Sequence, residues 1–391
     1  MTKPTLISLY SGCGGSALGF KNAGFEIDFM NDNNPDAYYT LFENFQKNSE
    51  NPDREIVHRG DIKDVFSFGQ ADVVEGGFPC QGFSLAGPRK VDDKRNSLYN
   101  YLKRAITLAN PKFFVAENVK GFISIGENGK SKLYDKEGKL QLGKIAYAIT
   151  NELGTTGGGY NIHCKILDAK NYGIPQDRQR IIIVGVRKDL DFEFEFPRAT
   201  HGENLEPYVT LESIRDIPSL EGEVYRERKD DREDYFSSRY MSRNRIRSWN
   251  NVSFTIPAEA GQVPADPSCE KMWNTPDGKR PGKIKPIDKK ITQTLADGVQ
   301  GPIDTRMDWN EFRKKHEKDI AKDLRRLSWR QCSAIQGFPK DYKFSGDVKS
   351  IYRQIGNAVP PPMMQQVAQC IMPYFEGKTS SYPKKAKEIT V

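Results

Sequence analysis

Cysteine is scarce. Six residues of this type, Cys13, Cys80, Cys164, Cys269, Cys332 and Cys370, are scattered through 391 positions with no CxxC pair and no CxxH spacing. That scatter argues against a zinc site and against a disulfide framework, so reduced thiols and no bound metal are expected. Long apolar runs are missing too. None approaches the roughly 18 uninterrupted residues of a membrane span, and the opening MTKPTLISLYSG lacks the order of a signal peptide. A cytoplasmic protein without membrane contact is expected. There is no internal repeat and no long low-complexity segment. What is present is a 37% apolar fraction, enough for a sizeable core in each of two or more domains, and a net charge of +7. That charge permits an anionic partner such as nucleic acid without requiring one.

Short β-rich runs occur at TLISLY (5–10), FEIDFMND (25–32), ADVVEGG (71–77), KFFVAENV (112–119), NIHCKILDA (161–169) and RIIIVGVR (180–187). Helix-like stretches such as ALGFKNAGF and PDAYYTLFENF, the latter with proline near its first turn, lie between them. The alternation predicts an α/β fold, a Rossmann-like mainly parallel sheet with helices on both faces, whose ligands sit at the strands' carboxyl ends. After Phe196 the character changes. A charged stretch, YRERKDDREDY (225–235), a basic one, SRNRIRSWNN (242–251), and the Pro/Gly-punctuated PDGKRPGKIKP (276–286) read as a separate, irregular domain from about 196 to about 340. The later IGNAVPPPMMQQVAQCIMPYF reads as a turn feeding a helix, followed by a loose tail.

Several residues carry chemistry. Gly12, Gly14 and Ala17 form G-x-G-x-x-A after a strand, and Asp32 follows Gly12 by 20 residues at the end of the next. Glycines there allow close backbone approach, and the carboxylate suits ribose hydroxyls. The pattern alone does not separate a nicotinamide or flavin dinucleotide from S-adenosylmethionine, because all carry adenosine; a tight turn joining strand to helix is the plainer alternative. In GDIKDV, Asp61 is either an acceptor for an adenine amino group or a helix cap. Cys80 lies in GGFPCQGFS, just beyond a strand and among turn residues, where a nucleophile fits better than a core thiol. Glu117 and Asn118 follow the apolar run of KFFVAENV, so a partly desolvated carboxylate there could hold a proton near neutral pH. In QDRQR, Gln176, Arg178 and Arg180 alternate into a strand, placing three side chains on one face suited to an anion or carbonyl.

The ordered series LYSGCGGSALGF, NDNNPDAY, GDI, GGFPCQGFS, AENVKGF, QDRQRIIIVG, RRLSWRQCSAIQGFP and QIGNAVPP resembles the cytosine-5 DNA methyltransferase family of bacterial restriction-modification type. The resemblance covers nearly all of residues 5–200 and 322–372. It implies a class I S-adenosylmethionine-dependent fold, and roles for individual residues. Cys80 would attack C6 of a cytosine, making C5 an enamine carbon able to take a methyl group. Glu117 would bond N3 and the exocyclic amine, Arg180 would hold O2, and Arg178 would support the loop or Cys80. Tyr10, Gly12 and Gly14 would frame the methionine part of the cofactor, Asp32 the ribose and Asp61 the adenine amine. Asn357 would return to the same pocket from the far end of the chain. Tyr10 stands where phenylalanine is usual, Asn33 where an apolar or aromatic residue often covers the adenine, and Ala358 where serine is more frequent.

Such chemistry on a stacked base requires base flipping. The loop GFSLAGPRKVDDKRNS (82–97), with Ser84, Arg89 and Arg95, is expected to close over DNA. Arg243 and Arg245, in the place of the family's target recognition domain, are expected to read guanine edges, and Lys279 to Lys290 to meet phosphates. The segment 242–264 is loosely similar to that of enzymes methylating GGCC, a similarity that thins after Gly261. The implied domains are 1–195 for catalysis and cofactor binding, 196–340 for target recognition, and 341–391 returning to the first. Double-stranded DNA is the expected partner of a monomer, with a cognate restriction endonuclease acting on the same site. A tRNA substrate is the alternative within the chemistry, although the CFT-type segment associated with it is absent. A dinucleotide-dependent oxidoreductase would leave Cys80, Glu117 and QDRQR without joint purpose, and a catalytically dead DNA-binding protein would not need all three.

Overall fold

A computed structural model describes residues 2–49, 53–78, 98–124, 140–218, 244–272 and 324–382. The apolar runs become strands of one sheet: β1 (Thr5–Leu9), β2 (Glu26–Asp32), β3 (Val57–Arg59), β4 (Val73–Gly76), β5 (Phe113–Val119), β6 (Tyr160–Asp168) and β7 (Gln179–Arg187). Their order is β3-β2-β1-β4-β5-β7-β6. The first five are parallel, whereas β7 runs antiparallel to both β5 and β6. Reversal of β7 brings its first residues to the edge where the parallel strands end, with Arg180 opposite Val119. An arginine at the start of one strand and an acid near the end of another can therefore meet.

Side chains alternate across the sheet with a period of two, and both faces are buried. Leu6, Val73, Phe113 and Ile182 face one core, which α1 (Gly15–Asn22) and α7 (Pro361–Phe375) cover through residues such as Phe20, Met364 and Val367. Ile7, Val74, Phe114 and Ile181 face the other, covered by α3 (Tyr99–Ala109) and α4 (Lys144–Gly154) through Leu102, Ile106 and Leu153. The helix near the chain's end thus packs beside its first helix.

Helix starts are fixed by caps. Asn34 accepts the amides of Asp36 and Ala37, each at 3.0 Å, and Pro35 opens α2 (Pro35–Leu41), which continues as a π-helical turn to Gln46. Ser328 and Gln331 form a capping box at α5 (Trp329–Ile335), and Asp347 accepts the Ser350 amide at 2.7 Å to begin α6 (Val348–Asn357). The sequence predicts a turn at IGNAV; instead its first three residues complete α6, and the turn is confined to the short link before α7.

Between residues 196 and 272 the described chain holds only short 3-10 turns, Leu211–Ile214 and Ala260–Gln262, and isolated bridges. Irregularity was expected here. Leu211, Ile214, Ile256 and Val263 share a third core with Leu327, Cys332 and Ile335 around α5 and with Tyr352 and Ile355 of α6. The contact is close at Gly356, where a Cβ would lie 2.1 Å from the Pro257 carbonyl oxygen. No described helix is long and apolar enough to cross a membrane.

Candidate active site

The turn after β1 reverses on left-handed backbone: Tyr10 has φ 53°, Gly12 55° and Gly14 82°. Glycine carries two of these conformations freely. Tyr10 does not, and its hydroxyl donates to the Leu98 carbonyl at 2.7 Å, which helps to hold it. A Cβ on Gly12 would meet nothing within 4 Å, so its backbone faces open space. The Gly12 amide donates to Asp32 Oδ2 at 2.9 Å and the Asn34 amide to Oδ1 at 2.8 Å. Burial pushes the Asp32 carboxyl up, against the pull of those amides. Each oxygen keeps accepting capacity for a ligand hydroxyl.

Asp61 combines its two sequence readings. It caps the 3-10 turn Ile62–Asp64 by accepting the Lys63 amide at 3.0 Å, and that bond chiefly holds its carboxyl below the usual range. It also lines the cavity that Asp32 lines.

Glu117 lies within β5, after the strand's apolar run, and its side chain is 12% exposed. Arg180 Nε approaches Glu117 Oε1 to 2.8 Å. Burial raises the Glu117 carboxyl, while Arg180 and then Arg178 oppose that shift. Asn118 donates to the Phe78 carbonyl at 3.2 Å, tying β5 to the segment that leads to Pro79 and Cys80. Cys80 lies outside the described residues, as do Ser84, Arg89, Arg95 and Arg243, the rest of the 82–97 loop, and Lys279 to Lys290. Phe78, two positions before Cys80, is on the cavity wall.

The QDRQR row divides its duties. Arg180 alone pairs with the acid. Arg178, fully buried, donates to the carbonyls of Ile256 at 3.1 Å and of Gly356 and Ala358 at 2.7 Å each. Burial draws its pKa down, and the three carbonyls are the partners a buried guanidinium needs. Gln176 binds Gln336 at 2.9 Å and accepts the Ile256 amide at 2.9 Å. Both residues precede β7, so they brace the junction between the irregular segment and α6. Arg178 is a positioning residue, holding in place the end of the helix that carries Asn357.

A single cavity of about 480 Å³ brings together Tyr10, Gly12, Asp32, Asp61, Glu117 and Asn357. Gly14, Arg178 and Arg180 are not on its wall; Gly14 instead caps α1. Arg245 also lies away from it, half-buried in the irregular segment, where its amide donates to Met272 Sδ. Sequence reasoning missed two residues. Glu75, an acid inside the fully buried strand β4, is on the wall. Arg247, 3.0 Å from Asp177 and stacked over Phe254, ties the irregular segment to QDRQR. A charge interrupting a buried strand was the available signal for the first; the second had none, since its partner is 70 positions away.

Two carboxylates at the ends of neighbouring strands and an unobstructed glycine backbone beside them fit an adenosine-bearing cofactor. The volume lies within the roughly 300–1,000 Å³ of small-molecule pockets. Fold and cavity together define an α/β enzyme of the class I methyltransferase type. The sequence pattern of C-5 cytosine-specific DNA methylases matches residues 5–372, and the chain belongs to that family. It is 34% identical to the type II methyltransferase M.BspRI of Lysinibacillus sphaericus, over 94% of this chain and 81% of that protein. It is also 34% identical to M.MthTI of Methanothermobacter thermautotrophicus, another type II methyltransferase, over 95% and 98% of the two chains. Among solved structures, the Entamoeba histolytica methyltransferase EhMeth superposes with a TM-score of 0.57 at 17% identity, covering 96% of this chain and 99% of that one, a likeness of fold.

Proposed function

We propose that this DNA cytosine methylase uses S-adenosylmethionine to methylate C5 of a cytosine swung out of double-stranded DNA, as the modification enzyme of a type II restriction-modification system. The observation that carries the reading is the order of groups along one sheet edge. Asp61 follows β3, Asp32 ends β2, the glycine turn follows β1, Glu117 is on β5, and Arg180 enters β7. The proposed cofactor groups and Glu117 thus line a single cavity, with Arg180 reaching it only through its 2.8 Å contact with Glu117.

Bound S-adenosylmethionine supplies an electrophilic methyl group. Asp32 accepts from its ribose and Asp61 from its adenine amine, while Tyr10, Gly12 and Asn357 frame the methionine end. The Cys80 thiolate adds to C6 of the cytosine. Glu117 holds a proton at N3 and accepts from the exocyclic amine, and Arg180 donates to O2, so negative charge does not accumulate on the ring. The methyl group would be delivered to C5; transfer of the C5 proton to a solvent base would then let the Cys80–C6 bond break and restore the thiolate. Burial of Glu117 supports this role because it favours the protonated carboxyl.

Residues 196–340 would supply target recognition, with Arg243 and Arg245 reading bases, and Ser84, Arg89 and Arg95 would contact DNA from the loop that closes over it. A monomer in the cytoplasm, with a nuclease cutting the same unmethylated site, completes the reading. Bisulfite sequencing of DNA from cells expressing the chain tests it. Cytosines protected at one recurrent sequence are expected; complete conversion everywhere would overturn it.

A further inference from the structure

Glu75 is used by nothing above. It lies on β4, opposite Ser8 of β1, and is 3% exposed, yet it reaches the wall of the cavity. Ser8 donates to its Oε1, and Ser16, near the start of α1, donates to Oε2 at 2.8 Å. Ser11 lies 2.8 Å from Ser8 and extends the network. No described lysine, arginine or histidine forms an ion pair with it, although a buried carboxylate ordinarily needs a cation. The charged groups nearest in the fold do not provide one. Glu117 on the neighbouring strand is an acid already paired with Arg180, and Arg353 of α6, also on the wall, is solvent-exposed.

Position along the sheet edge identifies the missing cation. Were Asp61 to hold the adenine and Asp32 the ribose, the sulfonium would fall farther along the same edge, beyond the turn after β1, where Glu75 of β4 is a buried acid on the cavity wall. We infer that Glu75 is the counter-charge for the cofactor's sulfonium, a specificity residue that favours the methyl-bearing cofactor over its neutral thioether product. This rests on the proposed cofactor. The two serines position the carboxylate, and the missing partner is the ligand's own charge. Burial, helped by the nearby Glu117 and opposed by the two serine hydrogen bonds, pushes the carboxyl up to about 7, so an arriving cation would draw it into its ionised form.

Calorimetric titration of the full chain with S-adenosylmethionine and, separately, S-adenosylhomocysteine tests the inference. Glu75→Gln keeps the shape and removes the charge. It is expected to weaken S-adenosylmethionine about tenfold, the scale of one charge-assisted contact, and S-adenosylhomocysteine less than about twofold. Equal losses for both ligands, or no loss for either, would overturn it. The unmodified chain provides a second readout that does not depend on the variant's folding. Its preference for S-adenosylmethionine over S-adenosylhomocysteine should rise between about pH 6 and 8 as Glu75 ionises, and a flat ratio would contradict the inference. If the unmodified chain bound neither ligand, the cofactor reading itself would fail; binding without discrimination would remove only the role of Glu75.

Discussion

At Glu117 the physical demands of the proposed chemistry meet in one side chain. The carboxyl must be buried enough to hold a proton and charged enough, at need, to accept one. Burial pulls one way and the Arg180 guanidinium, 2.8 Å distant, pulls the other. Glu117→Gln leaves a polar group of the same shape that cannot exchange the proton. Methyl incorporation should fall by about a hundredfold or more, with cofactor affinity unchanged; tritium transfer and calorimetry check both, and an undiminished rate would remove the acid from the mechanism. Glu75 yields a prediction about stability. Its carboxyl shifts from an ordinary 4.5 to about 7 on folding. Between those values the unfolded chain gives up the proton first, so the folded state is favoured at low pH and loses that advantage as pH rises through about 7, by about 3 kcal/mol at most. Thermal melts should show the unmodified chain losing Tm relative to Glu75→Gln as pH rises from about 5 to 8. A constant difference would contradict the shift. Glu117 was legible in the sequence because it follows an apolar run in a recognisable motif; Glu75 offered only its charge within a strand, because its serine partners lie on β1 and α1, 67 and 59 positions away.

Among the elements, α6 matters most, since it carries Asn357 to the cavity and is held by contacts distant in sequence. Asp347 caps its start, Tyr352 donates to the Leu327 carbonyl at 2.8 Å, and Arg178 grips the carbonyls at its end. Gly356 lets it lie against Pro257. Gly356→Ala forces a Cβ into a backbone oxygen, and a loss of roughly 1–3 kcal/mol in chemical denaturation is expected, the scale of overpacking at a site with no room. A neutral substitution would show that the helix can shift. Strands and most helices were readable from period-two runs and from caps such as Asn34-Pro35. The extension of α6 through IGN was not, because asparagine before prolines ordinarily signals a turn; here packing against residues 256–258 overrides the local preference. The division of labour in QDRQR was hidden for the same reason. Alternation tells which face a side chain takes, but not that Ile256, Gly356 and Ala358 wait there for Arg178.

For the whole molecule, topology explains why the cavity is lined from positions as distant as Tyr10 and Asn357. The antiparallel direction of β7 puts Arg180 at the edge where the parallel strands end, and α7 packs beside α1, which follows the glycine turn. The basic excess of +7 suits a polyanion. DNA affinity should therefore fall steeply with salt, with a log–log slope of about −0.9 for each phosphate neutralised; a flat dependence in filter binding would contradict phosphate contacts. The family's motif order made the fold and the cavity at the sheet edge legible at this scale, whereas the packing of the irregular segment was not, because Leu211, Ile214, Ile256 and Val263 reach the core around α5 and α6 without a periodic signature.

The central claim is the transient bond between Cys80 and cytosine C6. Incubation of the chain with cofactor and a duplex carrying 5-fluorocytosine at the site found by bisulfite sequencing should leave a stable adduct after methyl transfer, because fluorine cannot depart as a proton. Mass spectrometry should then locate the nucleotide on the peptide containing Cys80, and Cys80→Ser should give none. A duplex methylated without any adduct, or an adduct on another residue, would contradict the account.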